Sequence, residues 1–116
     1  MKHARAAELL KQLPGPVSTK WPQGERFAAA LANGTMSVEL YAPRGTDPQT
    51  PHAQDELYFV HAGSATFTLE GERIACAAGD ALFVPAGAEH RFTDFSDDFA
   101  TWVVFWGPQG GEGAAR

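Results

Sequence analysis

Cysteine is nearly absent: Cys76 is the only one in 116 residues. No intramolecular disulfide can form, so the fold rests on its own core, and a reducing, cytoplasmic location is the expectation. Positive charge is scarce too. Nine Lys and Arg stand against fourteen Asp and Glu, for a net charge of −5, which gives no electrostatic case for binding nucleic acid or an anionic membrane. The apolar runs are short, well below the roughly 20 residues a spanning helix needs. Residues 1–13 carry charges throughout and lack the apolar centre of a secretion signal. There is no glycine-rich phosphate loop and no nucleophile elbow.

Turn formers and aromatics are plentiful. Twelve Gly, eight Pro and eight Phe suit an all-β domain with many turns. The length fits one domain that buries perhaps two thirds of its unfolded surface. His3 to Leu13 predicts a short amphipathic helix, because Ala6, Leu9, Leu10 and Leu13 recur at helical spacing and Pro14-Gly15 stops the run. Asn33-Gly34 predicts a two-residue hairpin turn that pairs Leu31 with Met36, Ala29 with Val38 and Phe27 with Leu40, all on one face. Residues 42–55 read as a loop. Strands are expected over Glu56–His61, Ser64–Leu69, Glu72–Cys76, Ala81–Val84, from His90, and over Phe99–Trp106, about eight in all. The last is apolar on both faces, so a second subunit or the helix should cover its outer side; a homodimer is the expectation.

Two stretches carry the chemistry. In the second, Gly79 and the Pro85-Ala86-Gly87 turn flank a short apolar strand, and the next strand opens on His90 with Phe92 and Asp94 on its face. The first runs from Gly45 through Thr50, His52, Gln54 and Glu56 to Gly63. His52 and Glu56 share a face if the chain between them stays extended, and His90 completes two imidazoles and a carboxylate. Spacing alone equally allows a surface His52, a solvated Glu56 and a packed His90.

Together the stretches resemble the cupin family, whose motifs are G(X)5HXH(X)3–4E(X)6G and G(X)5PXG(X)2H(X)3N. The second motif matches at every fixed position except the last, where Asp94 replaces Asn. In the first, Thr50 stands where a histidine belongs and Gly45 lies one residue too close. The resemblance spans roughly residues 24–107 and implies a double-stranded β-helix (jelly-roll barrel), preceded by the helix and connection of residues 1–23 and followed by a flexible tail, 108–116. It also implies a divalent transition metal (Fe, Zn, Ni or Mn) on His52, Glu56 and His90, with Gln54 or Thr50 as a further or supporting ligand. Glu56, if unligated, could act as a base, and Tyr58 shares its strand face. The implied function is dioxygenase- or isomerase-like chemistry on a small organic molecule in the barrel; the alternative is a non-catalytic metal- or ligand-binding protein. His61 should lie outside the site, and Cys76 reads as a small buried hydrophobe.

Overall fold

The computed structural model describes residues 2–113. A short helix, α1 (Ala6–Leu10), precedes eight strands: β1 (Phe27–Asn33), β2 (Met36–Tyr41), β3 (Asp55–Ala62), β4 (Ser64–Leu69), β5 (Glu72–Ala77), β6 (Ala81–Val84), β7 (His90–Thr93) and β8 (Ala100–Trp106). They form two antiparallel sheets, one of five strands in the order β1-β2-β8-β3-β6 and one of three in the order β5-β4-β7. This is the jelly roll that the cupin resemblance implies. Among the described residues no helix is long and apolar enough to cross a membrane.

The two sheets meet on aromatic rings. Tyr58, Phe67, Phe92 and Phe99 are wholly buried, with Phe92 4.8–5.0 Å from each of the other three ring centroids. Fully burying such a side chain stabilises by about 1.5–3 kcal/mol, so this cluster fixes the distance between the sheets. Gly63, closing the first motif, has φ +76°, and a Cβ there would lie 2.8 Å from the Phe99 Cα. Only glycine lets the β3–β4 turn pass so close to the start of β8.

The first hairpin departs from expectation. Asn33 pairs with Met36, so the turn centres on Gly34-Thr35, and Leu31 faces Val38 rather than Met36. Thr35 is held in the turn by distant parts of the chain: its Oγ1 accepts from Gly107 N at 3.0 Å and its carbonyl from Gln54 Nε2 at 3.0 Å. An irregularity between Ala29 and Leu31 shifts the register again, pairing Ala28 with Leu40 and Phe27 with Tyr41. The six apolar residues therefore do not share a face. Ala28 and Leu40 pack under α1 with Ala6 and Leu9, while Phe27 and Tyr41 turn inward to the main core.

The helix is shorter than predicted. Arg5 offers no side-chain cap, and the chain tightens into turn bonds from Gln12 N to Leu9 O and Leu13 N to Leu10 O, so His3 precedes the helix. The start of the tail is tied rather than frayed: Gly110 N donates to Ala53 O at 2.7 Å and Glu112 N to Asp55 Oδ2 at 3.1 Å. Residues 114–116 lie outside the described residues. β7 ends at Thr93, so Asp94, at φ +50°, leaves the strand face and lies exposed 3.9 Å from Arg73.

Candidate metal centre

Three elements deliver the three side chains. Glu56 and Tyr58 alternate inward along β3, where both are buried. His90 opens β7 on the facing sheet, 3 % exposed. His52 comes from the loop before β3 and keeps 35 % of its side-chain exposure. The second-motif turn joins them, since Gly87 N donates to His52 O at 2.8 Å and Ala86 N to Asp55 Oδ1 at 2.9 Å. Gly87 adopts φ +80°, the left-handed conformation that lets the chain double back there.

The ligating atoms of His52, Glu56 and His90 lie within 4.8 Å of one another. Glu56 Oε2 is 2.8 Å from His52 Nδ1 and 3.3 Å from His90 Nε2. The His90 tautomer follows from its other nitrogen: Nδ1 lies 2.9 Å from Ala88 O, a carbonyl that can only accept, so Nδ1 carries the proton. In the neutral ring Nε2 then presents a lone pair to a carboxylate. Glu56 Oε1 and His90 Nε2 are both buried without a hydrogen-bond partner. An imidazole lone pair 3.3 Å from Glu56 Oε2 in a buried pocket is costly unless a proton or a metal cation lies between the two acceptors. The residues present therefore fit a divalent ion, and the Ala88 carbonyl is the kind of support that orients a ligating imidazole.

The other predicted residues are placed less centrally. Thr50 is exposed. Gln54 lines the same cavity as His52, but its Nε2 is engaged by Thr35 O and Gly107 O at 3.0 and 2.9 Å. The Tyr58 hydroxyl donates to Gln49 Oε1 at 3.0 Å. Burial, then the neighbouring Glu56 carboxylate, push the phenol well above its usual pKa, so it stays a proton donor in hydrogen bonds. His61 is exposed on the outer face and Cys76 is buried.

Several wall residues escaped the sequence reading. Asp47, 4 % exposed, accepts from Tyr41 Oη at 2.5 Å, Gln49 Nε2 at 2.9 Å and Phe92 N at 2.8 Å, which fixes Gln49 beside Tyr58. Glu39, His52 and Phe105 together line two cavities, an outer one of about 500 Å³ that includes Gln54 and an inner one of about 300 Å³ walled by Trp21, Phe27 and Tyr41. Burial raises the Glu39 carboxyl to about 7; His52 opposes the shift, and Glu56 and Glu25 add to it. The signal for Glu39 was its alternation with Ser37 and Tyr41 on β2, all three facing these cavities. For Gln49 the sequence carries no signal.

Comparison with known proteins gives the family and the fold. Residues 37–106 match the family model described as the Cupin domain. An uncharacterized protein of Streptomyces coelicolor is 46% identical over 81 residues, covering 68% of this chain and 77% of that protein. A gentisate 1,2-dioxygenase of a Streptomyces species is 29% identical over 114 residues, 85% of this chain but only 32% of the enzyme. This chain thus spans about a third of that enzyme's length. In fold, a protein from Photorhabdus luminescens superposes with a TM-score of 0.65 at 16% identity, covering 92% of this chain and 87% of its own.

Proposed function

Because this chain belongs to the cupin domain family, we propose that it is a metal-dependent enzyme that binds a divalent transition ion on His52, Glu56 and His90 and acts on a small organic molecule in the adjoining cavities. The observation that carries this reading is the convergence of the three side chains, whose ligating atoms lie within 4.8 Å of one another, with Glu56 Oε1 and His90 Nε2 buried and unpartnered. Two imidazoles and one carboxylate would hold such an ion with coordination positions left for a substrate. Such an ion supplies Lewis acidity and, if it is iron, redox capacity toward dioxygen. The relative that is a gentisate 1,2-dioxygenase favours dioxygenation over isomerisation as the first chemistry to test.

The chain's own residues do the rest. Ala88 O holds the His90 ring so that Nε2 faces inward. Phe105, its ring 4.9 Å from that of His52, with Trp21 and Phe27 gives the inner cavity an apolar wall for the body of a bound molecule. The buried Tyr58 hydroxyl holds the amide of Gln49, which lines the inner cavity. Glu39, poised near neutrality, can take or return a proton at its carboxyl oxygen.

The test has two parts, metal analysis of protein purified without added metal or chelator, and dioxygen uptake by the iron-loaded protein with gentisate and related hydroxybenzoates. Stoichiometric metal with substrate-dependent uptake supports the reading. Stoichiometric metal with no turnover of any such compound favours a non-catalytic metal-binding protein, the role that an exposed Thr50 in the first motif also suits. No metal at all overturns the centre.

We further propose a homodimer in the cytoplasm, where the lone buried thiol of Cys76 would stay reduced. α1 covers Trp102 but leaves Phe59 and Phe83 45% and 52% exposed on β3 and β6, with Trp106 beside Phe83. A second copy laid on this face would bury them. Phe83→Asp should shift light scattering from dimer to monomer, and a monomeric parent protein would refute the assembly.

A further inference from the structure

Lys20 and Trp21 line the inner cavity beside His52 and also a third cavity, of about 460 Å³, whose wall carries Arg26 and Arg44. No Asp or Glu lines that third cavity, in a chain whose net charge is −5. Both guanidinium groups are anchored to backbone: Arg26 Nε donates to Ala42 O at 2.8 Å, and Arg44 Nη1 donates to Pro43 O at 2.8 Å and Phe99 O at 3.1 Å. Among the described residues neither has a carboxylate within 4.0 Å. Asp94 and Asp97 line a neighbouring depression that shares Arg44 and Gly45 with the third cavity. Burial and then the charge of Arg44 make Arg26 a less comfortable cation than it is in water. Two fixed guanidiniums that repel each other, with an ammonium at the rim, form a preorganised anion receptor whose repulsion a bound oxyanion relieves.

We infer that Lys20, Arg26 and Arg44 form an oxyanion subsite that takes a carboxylate or phosphate group of a ligand whose body lies along Trp21 and reaches the cavity beside His52. The Trp21 ring, edge-on to Phe27 and Tyr41 at 5.8 and 6.2 Å, is the apolar bridge between the charged end and the candidate metal centre. The inference rests on the reading of that cavity as the substrate site, and it narrows the substrate class to small anionic molecules with an apolar body.

The experiment uses the whole protein and three probes: phenyl phosphate, benzoate and neutral benzyl alcohol. Binding is followed by calorimetry and by the NMR shift of the Trp21 indole N–H. At least one anion should bind about tenfold or more tightly than benzyl alcohol and move the Trp21 signal, and whichever anion is tighter identifies phosphate or carboxylate as the preferred group. Arg44→Gln should weaken that binding about tenfold. Lys20→Gln, an exposed change that leaves the fold intact, should weaken it several-fold, and added salt should weaken it in the parent. Removing any bound metal from the parent with a chelator should leave it unchanged, so loss of the metal reading and loss of the subsite give different results. Equal binding of benzyl alcohol, or anion affinity untouched by both cation variants, overturns the subsite. Loss of anion binding on chelation overturns it too, because the anion would then be sitting on the metal.

Discussion

His90 and His52 bring the same ring to Glu56 from two unlike stretches of backbone. His90 begins a strand directly after a glycine turn, is buried, and has its far nitrogen committed to Ala88 O. His52 sits on an irregular loop, is one-third exposed, and lines both cavities. A fixed ligand determines where an ion can sit, whereas a ligand at the mouth meets whatever enters. The same division runs through the walls. The closed side is packed aromatic rings, and the open side carries Glu39, Gln54 and, further out, the arginines.

The largest expected effect tests that division directly. His90→Ala should abolish measurable divalent-metal binding in competition with a chelator, since it removes a buried donor and leaves Glu56 without its facing partner. His52→Ala should retain weak binding, because Glu56 and the His90 ring oriented by Ala88 O remain. Circular dichroism on both variants checks that the barrel still folds. If His52→Ala proves as severe as His90→Ala, the contrast between anchored and open ligands is wrong.

A smaller effect should appear on the open side as pH dependence. The Glu39 carboxyl is raised, chiefly by burial, from 4.5 to about 7 in the folded protein. Between those values the folded chain holds a proton that the unfolded chain has released, so stability falls as pH rises and levels off above about 7. Glu39→Gln should remove that slope. At pH 8 it should be more stable than the parent by about 1–2 kcal/mol, less than the full shift implies because the cavities admit water. Urea unfolding of metal-free protein at pH 5 and pH 8 gives the answer; identical pH slopes in parent and variant would rule out a buried, protonated Glu39.

The closed side was the legible one. Glycine and proline mark turns by their own backbone limits, so the Pro85-Ala86-Gly87 turn, the strand opening at His90 and the inward alternation of Glu56 and Tyr58 could be read from local chemistry. The open side is set by contacts between distant residues. Thr35, pinned by Gly107 and Gln54, moves the first turn by one residue, and a second irregularity follows at Ala29/Leu31. Those shifts place Leu40 under the helix and leave Glu39 on the cavity side. A pattern rule that groups apolar residues on one face cannot anticipate a barrel whose interior wall is partly polar. Asp47 shows the same limit, as its role depends on Tyr41, Gln49 and Phe92 arriving from three directions.

The smallest effects concern the register of the first motif and pit Thr50 against Gln54. Thr50 is exposed and two residues from His52, so a histidine there could add a fourth ligand if its ring reaches past Pro51 without moving the loop. Thr50→His should then tighten divalent-metal binding, by about tenfold if the new ring adds some 1.4 kcal/mol. Gln54 is committed elsewhere, its amide bridging the carbonyls of Thr35 and Gly107. Gln54→Ala should therefore cost stability, about 1–2 kcal/mol for two partly exposed hydrogen bonds, and leave metal affinity within about twofold of the parent. Chelator competition and thermal unfolding of the two variants separate these roles. Should Thr50→His leave affinity unchanged while Gln54→Ala lowers it sharply at intact stability, the loop carries its ligands on His52 and Gln54, and Thr50 is only a turn residue before proline.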